Sequence, residues 1–208
     1  MRQIFALALV CSAISTAAQA EVAPQGGRFR PFIGVGYTTG GNTLLRIVPR
    51  DSTDTSKETD ISAGGGLVLQ LGMDYRLGGL PLAIQGSIGL HNDQDNSQTG
   101  ERYSFRRYPV ELQLRWMTNE RWRMGFGARK ATHSVLSIVN GTSGAEVLSI
   151  NERYRLHSNI GVFLEAEYAI TPAFAMKMRY VHEKFKTDAD NGAIQTYDGS
   201  HLGLIGAY

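Results

Sequence analysis

The chain has 208 residues, with 21 Lys and Arg against 19 Asp and Glu, a formal charge of +2, and a single cysteine. Charge this balanced and this evenly spread excludes the basic stripe that a nucleic-acid-binding surface needs. Beyond the N-terminal leader no segment holds the eighteen or so consecutive apolar residues of a spanning helix, so any membrane role falls to strands.

In chain order the first element is a leader. Arg2, the apolar run from Ile4 to Val10 and the small residues ending Ala18-Gln19-Ala20 before Glu21 read as a cleaved secretory signal peptide over residues 1–20. Its removal takes Arg2 and Cys11, which leaves 208 − 20 = 188 residues with no thiol and 20 bases against 19 acids, a charge of +1. A disulfide or a thiolate metal site is thereby excluded. Val10 stands where a lipobox would carry Gly, Ala or Ser, so Cys11 is not read as a lipid anchor. Residues 21–28 are expected as a short periplasmic lead-in and residues 29–208 as one domain, with no second domain.

From there the sequence runs in dyads. Residues 61–75 alternate Ile61, Ala63, Gly65, Leu67, Leu69, Leu71, Met73 and Tyr75 with Ser62, Gly64, Gly66, Val68, Gln70, Gly72 and Asp74, the period of a long strand. Similar dyads predict eight strands, at residues 29–38, 61–76, 80–91, 103–117, 121–133, 154–170, 173–184 and 199–208. Long polar connections (39–60, 92–102, 134–153, 185–198) alternate with tight ones (77–79, 118–120, 171–172). An even strand count with that alternation is the pattern of an outer-membrane barrel, all-β, antiparallel and up-and-down. Asn140-Gly141 between apolar alternations predicts that the fifth and sixth strands continue outward as a protruding ribbon over 134–153. The first long loop, rich in Ser, Thr and Asp over 51–60, is expected to be mobile.

Alternation alone leaves open whether the apolar face meets lipid or lines a cavity, as it would in a soluble lipocalin-like carrier. Three features favour lipid. The outward register sets Tyr75, Trp116, Trp122, Tyr168 and Phe174 beside the short turns, with Tyr208 at the end, as membrane-interface aromatics. The opposite face mixes glycines with a lumen charge network of Asp74, Arg76, Glu111, Arg115, Arg123, Arg129, Glu165, Glu167, Lys177, Arg179 and Glu183, so that long and absent side chains fill a narrow barrel. The chain closes on Leu202, Leu204 and Tyr208 on one face, a C-terminal pattern similar to the assembly signal of such barrels.

On the residues Pro31-Phe-Ile-Gly-Val-Gly-Tyr37, Arg179-Tyr-Val-His182 and Asp198-Gly-Ser-His-Leu-Gly-Leu204, the chain resembles the small eight-stranded outer-membrane barrels of the OmpA and OmpX type. The resemblance implies a monomeric transmembrane barrel with periplasmic termini and cell-surface loops. Its surroundings would be outer-membrane lipid and lipopolysaccharide, the assembly machinery would insert it, and an extracellular protein would be met through the loops. It implies no cofactor.

The same strands hold two partial matches to enzyme motifs, at His157-Ser158 and His182-Glu183-Lys184. A lipid A deacylase-like site needs His and Ser two residues apart on one face. In Arg155-Leu-His157-Ser158 they are adjacent, which turns His157 inward and Ser158 to lipid, and His182-Glu183-Lys184 has Lys where Ser would stand. A palmitoyltransferase's amphipathic N-terminal helix has no counterpart in residues 21–27. The five histidines, His91, His133, His157, His182 and His201, are spread over five strands and predict no metal centre. Loop oxygens at Asp93, Asp95 and Asn96, or at Asp188, Asp190 and Asn191, lack the full calcium-loop signature. The expectation is a non-enzymatic barrel with a closed lumen and a structural, adhesion-like role.

Overall fold

The computed structural model describes residues 29–47, 59–96, 102–139, 151–188 and 194–208. The leader, the lead-in, most of the 51–60 stretch and the Asn140-Gly141 tip lie outside them, as do the side chains of Asp95, Asn96, Asp188, Asp190 and Asn191. The described chain forms β1 (Phe29–Gly40), β2 (Thr43–Ile47), β3 (Thr59–Ser62), β4 (Gly66–Arg76), β5 (Leu82–Asn96), β6 (Arg102–Met117), β7 (Trp122–Val139), β8 (Asn151–Ser158), β9 (Gly161–Ala169), β10 (Ala175–His182), β11 (Lys184–Asp188), β12 (Ile194–Asp198) and β13 (His201–Ala207).

Eight of these close on themselves. The antiparallel ladder runs β7-β6-β5-β4-β1-β13-β10-β9 and returns to β7, because β7 pairs with β9 over Trp122↔Tyr168 to Arg129↔Gly161. Closure satisfies every wall strand on both edges and leaves no free edge in the wall. The turns at one end are tight and self-satisfied. Asn119 Oδ1 accepts from the amides of Arg121 and Trp122 at 2.9 and 2.7 Å, and Thr171 Oγ1 accepts from those of Ala173 and Phe174 at 3.3 and 2.9 Å.

The wall has one apolar face, and it is the outer one. Leu67, Leu69, Leu71 and Met73 on β4, Val110, Leu112 and Leu114 on β6, Phe126 on β7, Leu164 on β9 and Leu202 and Leu204 on β13 are all exposed. The interior holds Arg, Lys, Glu, Gln and His instead, so the cavity of a lipocalin-like carrier is ruled out by what fills it. Small residues make the room. A Cβ on Gly127 would lie 2.5 Å from the Phe163 ring, and one on Gly125 would collide with the Gln113 amide.

At the other end the barrel opens into a second structure. β1 and β4 stop at the rim, while β5, β6 and β7 continue beyond it and β8, β11 and β12 join them as a curved six-stranded sheet, β12-β11-β8-β7-β6-β5. The hairpin β2–β3, which is the connection from β1 to β4, folds into the gap. Ile61 and Ala63 then pack with Phe105, Ala131, Leu136, Leu156 and Phe185, flanked by Leu44, Leu45, Tyr103 and Tyr197, in a small apolar core above the lumen.

This corrects two expectations and extends a third. The dyad over 61–75 is not one strand: Ile61 and Ala63 are 0 % exposed and belong to the cap, and the barrel strand begins at Gly66, whose φ of +114° takes the left-handed turn between them. The predicted ribbon is formed by β7 and β8, paired from Ser134↔Leu156 to Val139↔Asn151, with β6 and β11 as added neighbours. His157 is exposed and Ser158 buried, the reverse of the expected facing, because two successive exposed residues, Asn159 and Ile160, interrupt the alternation between β8 and β9. His157 and Ser158 still face opposite ways.

Candidate functional site

The site the geometry defines is the lumen and its cap. Residues of one parity on each wall strand point inward, and antiparallel pairing sets acids beside bases: Lys177↔Glu167 and Arg179↔Glu165 on β10 and β9, Glu111↔Arg129 on β6 and β7. Ten of the eleven charges foreseen for the network are joined in one chain of contacts. Arg115 binds Asp74 at 2.6 Å and also Glu167, which holds Arg123 as well. Lys177 lies 3.7 Å from Glu167 and 3.6 Å from Glu165. Arg179 spans Glu165 and Glu111, its Nε donating to Glu165 at 2.8 Å and its NH1 to Glu111 at 2.7 Å. Arg129 continues to Glu111 at 3.4 Å and to Glu183 at 3.2 Å. The eleventh, Arg76, stands exposed at the mouth.

Several members were not foreseen. Arg107 is fully buried at the top of the lumen, 3.5 Å from Glu183, with NH2 donating to Gly65 O at 2.9 Å and NH1 donating to Ala63 O. It therefore latches the cap segment onto the network, and the rings of Phe105 and Phe185 lie 4.7 and 5.7 Å from its guanidinium. Gln70 donates to Glu111 at 2.6 Å and Gln85 to Asp74 at 2.8 Å. His91 and His201 stack edge to face at 5.2 Å, with His91 Nε2 2.7 Å from Thr38 Oγ1 and His201 Nδ1 donating to Gly199 O at 2.7 Å. Arg107 shares the parity of Glu111 and Arg115, and Gln70 that of Asp74, so the signal was present in the alternation.

The aromatics foreseen at the interface lie at the tight-turn end. Trp116 and Trp122 are exposed, Trp122 meets Tyr168 at 5.0 Å, Tyr75 meets Phe29 at 4.8 Å, and Phe174 covers Gly206. Tyr208 exchanges backbone hydrogen bonds with Ile33, both 2.9 Å. Leu202 and Leu204 face outward on β13. Among the described residues no group of three His, Cys, Asp or Glu is placed to hold a metal ion.

At the cap rim, His182 Nδ1 is 2.8 Å from Ser200 Oγ, and Ser200 Oγ donates to Asp198 at 2.6 Å. The carboxylate thus holds the serine rather than orienting the imidazole, an order unlike a hydrolytic triad. These Ser200 hydrogen bonds hold the Asp198 carboxyl below its ordinary value.

A closed eight-stranded antiparallel barrel with an apolar outer wall and an ion-paired interior is the architecture of the small outer-membrane β-barrels. Among solved structures, the chain is similar to Ail, the attachment invasion locus protein of Yersinia pestis, crystallised in complex with the heparin analogue sucrose octasulfate, at 13 % identity over 88 % of this chain and 100 % of that one, TM-score 0.48. It is also similar to Neisserial surface protein A, at 10 % identity over 87 % of this chain and 96 % of that one, TM-score 0.43. No family model and no curated relative matches the chain.

Proposed function

We propose that this is an integral outer-membrane protein, with its chain ends and tight turns on the periplasmic side and its long connections at the cell surface. Lipid and lipopolysaccharide surround the wall, and the assembly machinery reads Leu202, Leu204 and Tyr208. The working part is the cell-surface sheet, which meets an extracellular protein partner, while the stoppered lumen passes no solute and the protein catalyses no reaction.

The observation that carries this reading is the sheet beyond the rim. Among the described residues, its last strand, β12, pairs with β11 on one side and meets Asn42 at Asp198 on the other. Asp198 N and O both bond outward to Asn42, so Thr196, two residues earlier, directs its own N–H and C=O to the same open edge. An open edge outside the membrane is a template for strand addition.

Thr196→Pro removes an edge donor without touching the β11 ladder, so the barrel should keep its heat-dependent gel mobility. Binding of cells displaying the protein to extracellular-matrix protein should fall about tenfold, the loss of an affinity near 1.4 kcal/mol. Unchanged binding in both Thr196→Pro and a variant shortened across residues 136–148 would overturn the surface role. A change in the mass of lipid A on expression would overturn the non-enzymatic one.

A further inference from the structure

The charges that face inward are not balanced along the lumen. Next to the cap, Arg107, Arg129 and Arg179 stand against Glu111, Glu165 and Glu183, three against three. At the tight-turn mouth, Arg30, Arg76, Arg115, Arg123 and Lys177 stand against Asp74 and Glu167, with Glu165 shared between Lys177 and Arg179.

One of those bases is placed at a cost. Lys177 has a side chain only 1 % exposed, its acidic neighbours are 3.6 and 3.7 Å away, and its ammonium makes no hydrogen bond. Beneath it the Phe32 ring lies 4.3 Å away, and the hollow it borders is also lined by Arg30, Arg115 and Arg123. An ammonium has three N–H groups and no acceptor capacity, so a buried one that makes no hydrogen bond has its desolvation offset only by the two carboxylates beyond hydrogen-bond reach.

We propose that this mouth of the lumen binds a phosphate-class oxyanion. Lys177 is the buried anchor for one oxygen, and the guanidinium forks of Arg30 and Arg123 clamp the others, with Arg76 at the opening. Guanidinium groups match the oxygen spacing of phosphate, and an anion here neutralises charge that the acids leave uncompensated. The ring pairs Phe29–Tyr75 and Trp122–Tyr168 ring the same end, which sets the mouth at headgroup level. The phosphate can therefore come from a lipid headgroup or from free phosphate.

The test uses the refolded full chain in a phosphate-free maltoside micelle, titrated with inorganic phosphate and, at matched ionic strength, with chloride, while backbone amide resonances are followed. Saturable shifts at Phe32, Ala175 and Lys177 with phosphate, absent with chloride, are expected. Arg30→Gln and Lys177→Met should each weaken them about tenfold. Lys177→Met is judged only if it keeps the heat-dependent mobility; Arg30→Gln, at the half-exposed mouth, keeps the proposal testable if it does not. In phosphatidylglycerol nanodiscs without added phosphate, the same resonances already shifted would identify the lipid as the source, and a shift only on adding phosphate would identify the free anion. Drift that never saturates, or equal response to chloride, or no effect of Arg30→Gln, overturns the site.

Discussion

The lumen and the cap are filled by opposite chemistries within one continuous wall. On β6, Val110, Leu112 and Leu114 face out while Glu111 and Arg115 face in; a few residues further along the same strand, Arg102 and Arg106 face out and Phe105 faces in. β10 and β11 show the same inversion, from Met178 and Tyr180 outside Lys177 and Arg179 to Lys184 and Lys186 outside Phe185. So do β9 and β8, from Leu164 outside Glu165 to Arg153 and Arg155 outside Leu156. What stays constant is that the outer face is opposite in polarity to the interior it covers, apolar around the charged lumen and charged around the apolar cap. On these strands the point of inversion separates lumen from cap.

The two interiors should therefore fail differently. In the lumen, Arg179→Met leaves Glu111 and Glu165 short of the cation they share, and removing one partner of a buried pair costs about 3–5 kcal/mol. Because β10 is a wall strand, the loss should appear as a lower urea midpoint for the whole barrel in lipid vesicles. A midpoint within error of the parent would mean that the network fills space without tying the strands.

In the cap, Phe185→Ala opens a cavity in a core that β2–β3 and the upper sheet share. Its edge contact with Phe105 at 5.5 Å goes with it, and a buried Phe truncated to Ala costs about 3 kcal/mol. The effect should stay local. Amide exchange should accelerate in β8 and β11 while the wall strands keep their protection. Equal acceleration in β13 and β4 would show that cap and barrel unfold as one unit, and the comparison between them would dissolve.

How much of this could be read from the sequence follows from the same inversion. The wall was legible because a single period of two runs through β4, β6 and β9 with Leu, Val and Met on one parity and Glu, Arg and Gln on the other. The network was legible because that parity fixes which charges share the interior, although the distances between strands depend on stagger, which no single strand encodes. The cap was not legible as a cap. Its apolar residues, Ile61 and Ala63, continue the outward phase of Leu67 and Leu69 by coincidence, and only the left-handed backbone at Gly66 breaks it. Phe105 and Phe185 sit on the polar parity and look like interruptions until the change of surroundings is recognised. His157 and Ser158 were misassigned for a related reason, since an irregularity at Asn159 resets the phase by one residue.

The smallest expected effect lies at the seam where the two regions meet. Asp198 accepts from Ser200 N at 2.9 Å and from Ser200 Oγ at 2.6 Å, and its backbone ties to Asn42, which joins β12 to the end of β1. With its carboxyl held below the ordinary range, the ionised form contributes closure that is complete above the unfolded value and is lost as pH falls through the lowered folded one. Seam closure should thus be insensitive from neutral to mildly acidic pH and weaken only below the usual carboxylate range. Asp198→Asn should remove that dependence and raise amide exchange at Ser200 about threefold at neutral pH, the size of one modest, solvent-screened hydrogen bond. Because Asn42 bonds to the backbone of residue 198 rather than its side chain, the cap core and the barrel should keep their own stabilities. If lowering the pH loosened β8 and β11 together with the seam, the acid-sensitive step would belong to the cap itself, and Asp198 would be a bystander at its edge.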